Sequence, residues 1–403
     1  MRLTILGAFL VLGLGPAPAA GQNVVVVRGV PETWAGSAEA ADFDGDGDAD
    51  LMVIGQTLDG EPVTGLYAFT GRLEEPLPLQ APRIVAVYEH FSFAARQMNS
   101  GNVTWADVDG DGDMDLLMTG TGVDEVDIDN IVELPATDLF ENAGQRTMII
   151  RNSGLPALQS SVAAWADIDS DGDLDLAIGG SALDGSPFLG VFRHNGAFGF
   201  SLVPTGLPQI IPTDVAWGDF DGDGDLDLFS PGTGIDGAVN VLAQNDGAGG
   251  FTLIESGIPA WLFSSARAAD FDADGDADLF LTGGVLSPDL VSGVSALYRS
   301  DGGRFVAVDQ EFSATFSGQV RWGDFDGDGD EDLLVAGIQD LEESDHQRIV
   351  VYEQVGGVFS KRFDLRGALF GTTTWYDYDG NGRLDILMSG IQDGRLIMTI
   401  FEL

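Results

Sequence analysis

Cysteine is absent from the 403 residues. That excludes a disulfide framework, a zinc–thiolate site and a thiol nucleophile. Positive charge is scarce: Lys and Arg total 18 against 65 Asp and Glu, and the net charge is −47. A nucleic-acid binder needs a basic footprint, so that class is excluded, as is docking on anionic lipid through a polybasic patch. Histidine is limited to His90, His194 and His346. Beyond the first twenty residues no apolar run reaches the ~18 residues of a membrane-spanning helix. No segment sustains a 3.6-residue period, so helix content is expected to be low. Apolar residues are not lacking. They make up 44% of the chain, enough for a packed core rather than a disordered acidic tail. Glycine is abundant at 56 residues, as expected of many tight turns.

Met1 to Ala20 reads as a signal peptide. Arg2 supplies the positive start, Leu3 to Leu14 an apolar stretch, and Ala17-Pro18-Ala19-Ala20 small residues for cleavage. The mature chain is expected to begin near Gly21 and to be exported, either secreted or periplasmic. Without cysteine it must hold itself together by core burial, by metal, or by both.

One ten-residue motif occurs seven times, with starts 51 to 65 residues apart. Its odd positions carry Asp42, Asp44, Asp46, Asp48 and Asp50 in the first copy and Asp107, Asp109, Asp111, Asp113 and Asp115 in the second. The third has Asp167, Asp169, Asp171, Asp173 and Asp175; the fourth has Asp219, Asp221, Asp223, Asp225 and Asp227. Asp270, Asp272, Asp274, Asp276 and Asp278 form the fifth, and Asp324, Asp326, Asp328, Asp330 and Asp332 the sixth. The seventh departs from the rest with Asp377, Asp379, Asn381, Arg383 and Asp385. About half of all acidic residues lie in these loops.

The spacing is that of a calcium loop. Carboxylates at positions 1, 3 and 5 can converge on one ion, position 7 gives its backbone carbonyl, Gly at position 6 allows the sharp turn, and Asp at position 9 closes the shell. Without a cation the carboxylates would repel. Oxygen ligands with no nitrogen or sulfur favour Ca²⁺ over zinc or copper. Up to seven such sites are expected. The seventh should be the weakest, having lost two anionic side chains and gained Arg383. An EF-hand is excluded, because position 12 is Val53, Met118, Ile178, Ser230, Leu281, Val335 or Met388 where that motif needs an acid.

Each repeat has room for four short strands. One precedes the loop (Asn102 to Ala106), a second follows it and ends in Gly, and a Gly-rich hairpin such as Asn245 to Gly250 joins a third to a fourth. Four strands per ~50 residues, repeated radially, is the β-propeller pattern. The fold class expected is therefore all-β: one domain from Gly21 to Leu403, a seven-bladed propeller of four-stranded antiparallel blades. The last repeat stops one strand short, and Asn23 to Val27 is free to complete it, closing the ring and covering sheet edges.

Repeated Asp-x-Asp-x-Asp-Gly-x-x-Asp-Leu in four-stranded units resembles the FG-GAP/VCBS repeats, known from the propeller of integrin alpha chains and from many bacterial secreted proteins. The resemblance covers nearly all of the mature chain. It implies a calcium loop between the first two strands of each blade, with Asp42, Asp44, Asp46, Asp50 and the Asp48 carbonyl, and their counterparts, as ligands. It also implies that partners bind on the face opposite the metal loops. The FG and GAP elements themselves are reduced to partial echoes at Phe198-Gly199-Phe200 and Gly250-Phe251.

Trp105, Trp165, Trp217, Trp322 and Trp375 each stand two residues before a loop. That fixed register reads as packing of the innermost strand against the adjacent blade. Trp261, outside the register in a connecting loop, is a candidate ligand contact. Two insertions, Thr121 to Thr137 (with Asp124, Glu125, Asp127, Asp129 and Glu133) and Glu89 to Ser100 (with His90 and Arg96), read as variable loops on a rigid scaffold. No Gly-x-Ser-x-Gly elbow, His-Glu-x-x-His or phosphate loop is present. The leading functional reading is a non-catalytic binding or adhesion scaffold, monomeric, for an extracellular protein or glycan. A polysaccharide lyase or glycosidase, with His90 and Arg96 as its first candidates, and a purely structural surface module are the alternatives.

Overall fold

The computed structural model describes residues 23–75, 83–127, 130–286, 291–339 and 347–403. The expected signal segment, Asp129, His346 and the side chains of Asp124, Glu125 and Asp127 lie outside the described residues. Among these the regular structure is entirely β, 29 strands with no helix.

In chain order, β1 (Asn23–Arg28) precedes a first meander of β2 (Trp34–Ala41), β3 (Asp50–Gln56), β4 (Pro62–Glu75) and β5 (Arg83–Phe91). The second holds β6 (Gln97–Ala106), β7 (Asp115–Asp127), β8 (Asn130–Asn142) and β9 (Met148–Arg151). The third holds β10 (Gln159–Ala166), β11 (Asp175–Ser181), β12 (Pro187–His194) and β13 (Phe200–Leu202). In the fourth the first strand is split into β14 (Ile211–Pro212) and β15 (Ala216–Gly218), followed by β16 (Asp227–Gly234), β17 (Gly237–Asn245) and β18 (Phe251–Ile254). The fifth is β19 (Leu262–Ala269), β20 (Asp278–Leu286), β21 (Val291–Arg299) and β22 (Val306–Ala307); the sixth is β23 (Phe316–Gly323), β24 (Asp332–Ile338), β25 (Gln347–Val355) and β26 (Val358–Arg366). The chain finishes on β27 (Thr373–Tyr376), β28 (Asp385–Gln392) and β29 (Arg395–Glu402).

Each meander is an antiparallel sheet in sequence order. The N-terminal strand pairs with the last one, as the sequence suggested: β1 runs antiparallel to β29, with Val24 opposite Phe401 and Val26 opposite Thr399. It also does something the sequence did not announce. Its other edge pairs in parallel with β5, Val26 opposite Val85, and this fuses the first and last meanders into one mixed sheet of eight strands. The sheets therefore number six among the described residues, not seven separate ones. The physical reason is the length of β4 and β5: β5 would otherwise leave a long unpaired edge.

The second strand of every meander is buried almost throughout, as in β11, where all seven residues are buried. Both of its faces are covered, so it reads as a continuous apolar run instead of an alternation. Seven apolar clusters lie between consecutive meanders. One joins Phe43 and Leu66 of the first to Met98 and Leu116 of the second, and another joins Leu387 and Ile400 of the last to Leu51 and Tyr88 of the first. The succession of contacts thus returns to its start, a propeller-like arrangement. The described residues of the insertion Thr121 to Thr137, 121–127 and 130–137, are not a loop, as expected, but an extension of the β7–β8 ladder, with Val123 opposite Glu133. It has enough β-branched residues to continue pairing.

Candidate metal centres

The first strand of each meander runs into an aspartate loop and the second strand leaves it, so all seven loops occupy equivalent ends of the sheets. Position 1 folds the loop upon itself. Asp42 Oδ1 accepts N–H groups of Gly45 (2.8 Å) and Asp46 (3.1 Å), and its Oδ2 accepts that of Gly47 (2.9 Å). The bond to the position-6 glycine recurs in every loop, down to Asp377 with Gly382 at 2.8 Å. Position 5 accepts the N–H of position 7, as Asp46 does from Asp48 at 3.0 Å. Asn381 keeps this bond, taking the Arg383 N–H at 2.8 Å. The seventh loop thus loses charge but keeps these turn bonds.

Position 9 is a pin that sequence reasoning took only for a ligand. Asp227 is fully buried. Its Oδ2 accepts the N–H of Phe220 at 3.2 Å and its Oδ1 that of Asn245, on the third strand, at 2.8 Å. Asp50, Asp115, Asp175, Asp278 and Asp332 repeat both contacts. Asp385 keeps only the third-strand bond, to Leu403, and its Oδ2 is buried without a partner. Position 2 was also missed. Phe43, Val108, Ile168, Phe220, Phe271, Phe325 and Tyr378 are all buried and hold the loop to the core. An apolar or aromatic residue recurring between two aspartates in all seven copies was the available signal.

Burial pushes the position-9 carboxyls up, to about 7 at Asp50, Asp227, Asp278 and Asp385 and to about 6 at Asp115, Asp175 and Asp332. Backbone N–H groups oppose that rise, and the neighbouring aspartates of each loop add to it. At position 3, Asp109, Asp221 and Asp272 are raised too, first by burial and then by adjacent carboxylates.

Oxygens from positions 1, 3 and 9 come within 4.8 Å of one another in loops one to five. Asp44 Oδ1, Asp169 Oδ1 and Asp379 Oδ1 are buried without a hydrogen-bond partner, while the other oxygen of each carboxylate faces an arginine. Orphaned anionic oxygens in a carboxylate cluster fit a hard cation. Position 7 side chains turn aside: Asp276 Oδ2 accepts the Gly302 N–H at 2.8 Å and Asp330 Oδ2 that of Gly356 at 3.3 Å.

The other sequence candidates are dispersed. Trp105, Trp165 and Trp217 line a cavity of about 400 Å³ with Arg267. Trp217 Nε1 donates to the Ala164 carbonyl of the preceding meander at 3.1 Å, and Trp322 Nε1 to that of Arg267 at 3.3 Å. Trp217 and Trp322 therefore bridge meanders, whereas Nε1 of Trp105, Trp165 and Trp375 is buried without a partner; all five residues stay half-buried. Arg267 pairs with Asp214 at 2.5 Å, and Arg321 approaches Glu39 at 3.5 Å. Burial raises the Glu39 carboxyl and lowers Arg321, the latter helped by Arg267. Trp261 is not a surface contact: it is 8% exposed, packed near Tyr298. Arg96 lies 3.6 Å from Asp138, whereas the His90 ring packs 5.3 Å from Tyr67. His194 is buried and stacks on Phe200 at 4.9 Å.

A family model described as an FG-GAP-like repeat matches residues 167–230 and 324–388. No curated protein matches the sequence. Among solved structures, an Agrocybe aegerita lectin described as recognising non-reducing terminal N-acetylglucosamine is 17% identical, with 91% of this chain and 93% of that chain covered and a TM-score of 0.48. A mutant of AofleA from Arthrobotrys oligospora is 12% identical over 84% of this chain and 88% of that one, TM-score 0.45. An intramolecular trans-sialidase from Ruminococcus gnavus is 11% identical over 90% and 93%, TM-score 0.37.

Proposed function

We propose that this chain, which carries FG-GAP-like repeats, is an exported calcium-binding propeller that serves as a non-catalytic scaffold for an extracellular protein or glycan. In this reading residues 21–403 form one seven-bladed domain, the eight-stranded sheet supplying two blades. Each loop binds Ca²⁺ through carboxylates at positions 1, 3, 5 and 9, with the Asn381 amide oxygen at position 5 of the seventh, and through the carbonyl at position 7. The observation that carries it is the repeated convergence of carboxylate oxygens from positions 1, 3 and 9 within 4.8 Å of one another, with one oxygen of Asp44, Asp169 and Asp379 buried and unpaired. Such a cluster is costly to hold without a counter-ion. The ion would supply charge neutralisation. The chain's own residues supply the turn, the buried pin and the anchoring side chain.

The partner face is the end away from the aspartates. Hairpin tips there expose Leu58, Leu183 and Ile235, and the end of β20 exposes Leu286. At the bulged start of the first strand, Phe263 and Phe370 adopt φ of 51° and 54° and remain 54% and 56% exposed. The corresponding bulge positions hold Ala35, Ser160 and Ser317. A left-handed aromatic costs about 1–2 kcal/mol; the Phe370 ring recovers part of that edge-on against Trp34, at 6.2 Å, whereas for Phe263, more than half exposed, display to a partner is the reason that fits. No helix among the described residues is long and apolar enough to cross a membrane. Glycan and extracellular-protein arrays probed with calcium-loaded protein and with the Phe263→Ser/Phe370→Ser variant test the reading. Binding that the double variant loses supports it; hits that turn over on incubation would replace it with an enzyme.

A further inference from the structure

Four of the seven position-3 carboxylates already have a cation beside them. Arg146 Nη2 lies 2.5 Å from Asp44 Oδ2, Arg193 Nε 3.0 Å from Asp169 Oδ2, Arg72 Nη1 2.8 Å from Asp379 Oδ2, and Arg299 Nη1 3.9 Å from Asp272 Oδ2. In the fourth loop the neutral Gln244 Nε2 donates to Asp221 Oδ2 at 2.7 Å. Asp109 and Asp326 have no basic partner within 4 Å among the described residues. The pattern has a register. The third-strand residue that follows the partner of position 10 is Arg193, Gln244 or Arg299 in the third, fourth and fifth meanders. It is Glu141 in the second and Glu353 in the sixth. Arg146 and Arg72 reach the first and seventh loops from other meanders, and Arg72 also bonds Glu402 at 2.8 Å.

We infer that these arginines are built-in counter-ions that grade the seven cation sites. This rests on the proposal that the loops bind Ca²⁺. Loops two and six, whose position-3 carboxylates have no arginine beside them, fill first; the register glutamates there, Glu141 and Glu353, are themselves paired with Arg151 and Arg362. Loop four follows, then loop five, whose arginine is the most distant. Loops one, three and seven fill last, because Ca²⁺ must share or displace a guanidinium on a ligand oxygen, and affinity follows the net charge of the ligand set. The same arginines hold those loops together when calcium is scarce, so the low-affinity sites are the ones that tolerate being empty.

The full mature chain is titrated with CaCl₂, stoichiometry is followed by native mass spectrometry, and occupancies are refined in crystals grown at stepped calcium. Two classes of site are expected, with loops two and six occupied at the lowest calcium. Arg193→Gln should raise affinity at loop three about tenfold and lower the melting midpoint in EGTA, two effects of opposite sign that a merely structural role would not produce. Should that variant fold poorly, Arg299→Gln carries the same test at loop five. Seven equal sites, loops one, three and seven filling first, or Arg→Gln leaving affinity unchanged would overturn the inference while leaving calcium binding intact. No bound calcium at millimolar supply would overturn the metal reading itself.

Discussion

At the scale of single residues, the position-9 aspartate does two jobs whose costs differ. Asp227 joins its loop to the third strand through two buried N–H bonds, to Phe220 and Asn245. Asp227→Ala leaves both donors unpaired, so a loss of about 3 kcal/mol is expected. Asp236→Ala, at an exposed hairpin tip, should stay within about 0.5 kcal/mol. Urea denaturation of the two variants checks the contrast, and equal losses would show the pin to be dispensable. Gly318 makes a second case. A Cβ there would sit 1.8 Å from the Ala336 carbonyl oxygen, which is backbone and cannot yield. Gly318→Ala should cost more than about 2 kcal/mol, against about 1 kcal/mol for Gly327→Ala, where φ is +78° but nothing lies within 4 Å. The aspartates and turn glycines were legible in the sequence because their spacing is local. The partners of Asp227 Oδ1 were not, since Asn245 is brought there only by the third strand.

At the scale of the loop as an element, burial and mutual repulsion raise the position-9 carboxyls to about 6 or 7. A folded-state pKa above the unfolded one stabilises below the unfolded value and loses that contribution as pH rises through the folded value. In EGTA the melting midpoint should therefore climb as pH falls from 8 towards 5. Calcium favours the ionised form, so with millimolar CaCl₂ the midpoint should be higher at pH 8 and should drop on acidification. Calorimetry across that range in both buffers reads the two slopes, and parallel curves would contradict a cation in the loops. The seventh loop shows how element and residue separate. Asn381 preserves the turn bond to Arg383, a conservation of shape that a charge count does not reveal.

At the scale of the whole molecule, β1 is the strand on which the arrangement turns, since it pairs with β29 on one edge and β5 on the other. Removing residues 23–28 should bare both edges, lower the melting midpoint and promote association, seen as a shift to larger species in size-exclusion chromatography with light scattering. A monomer of unchanged stability would show the strand to be ornamental. The sequence by itself determined the β class, the fourfold strand rhythm, the seven acidic loops and the pairing of the chain's two end strands, because all of these follow from short-range periodicity and from one strand being missing where another is spare. Only the tertiary structure decided that β1 also captures β5, that Trp261 is buried, that Arg146 and Arg72 reach loops of other meanders, and that Phe263 and Phe370 stand exposed in strained bulges. Those are contacts between residues far apart in the chain, chosen by packing and edge pairing, on which local spacing carries no information.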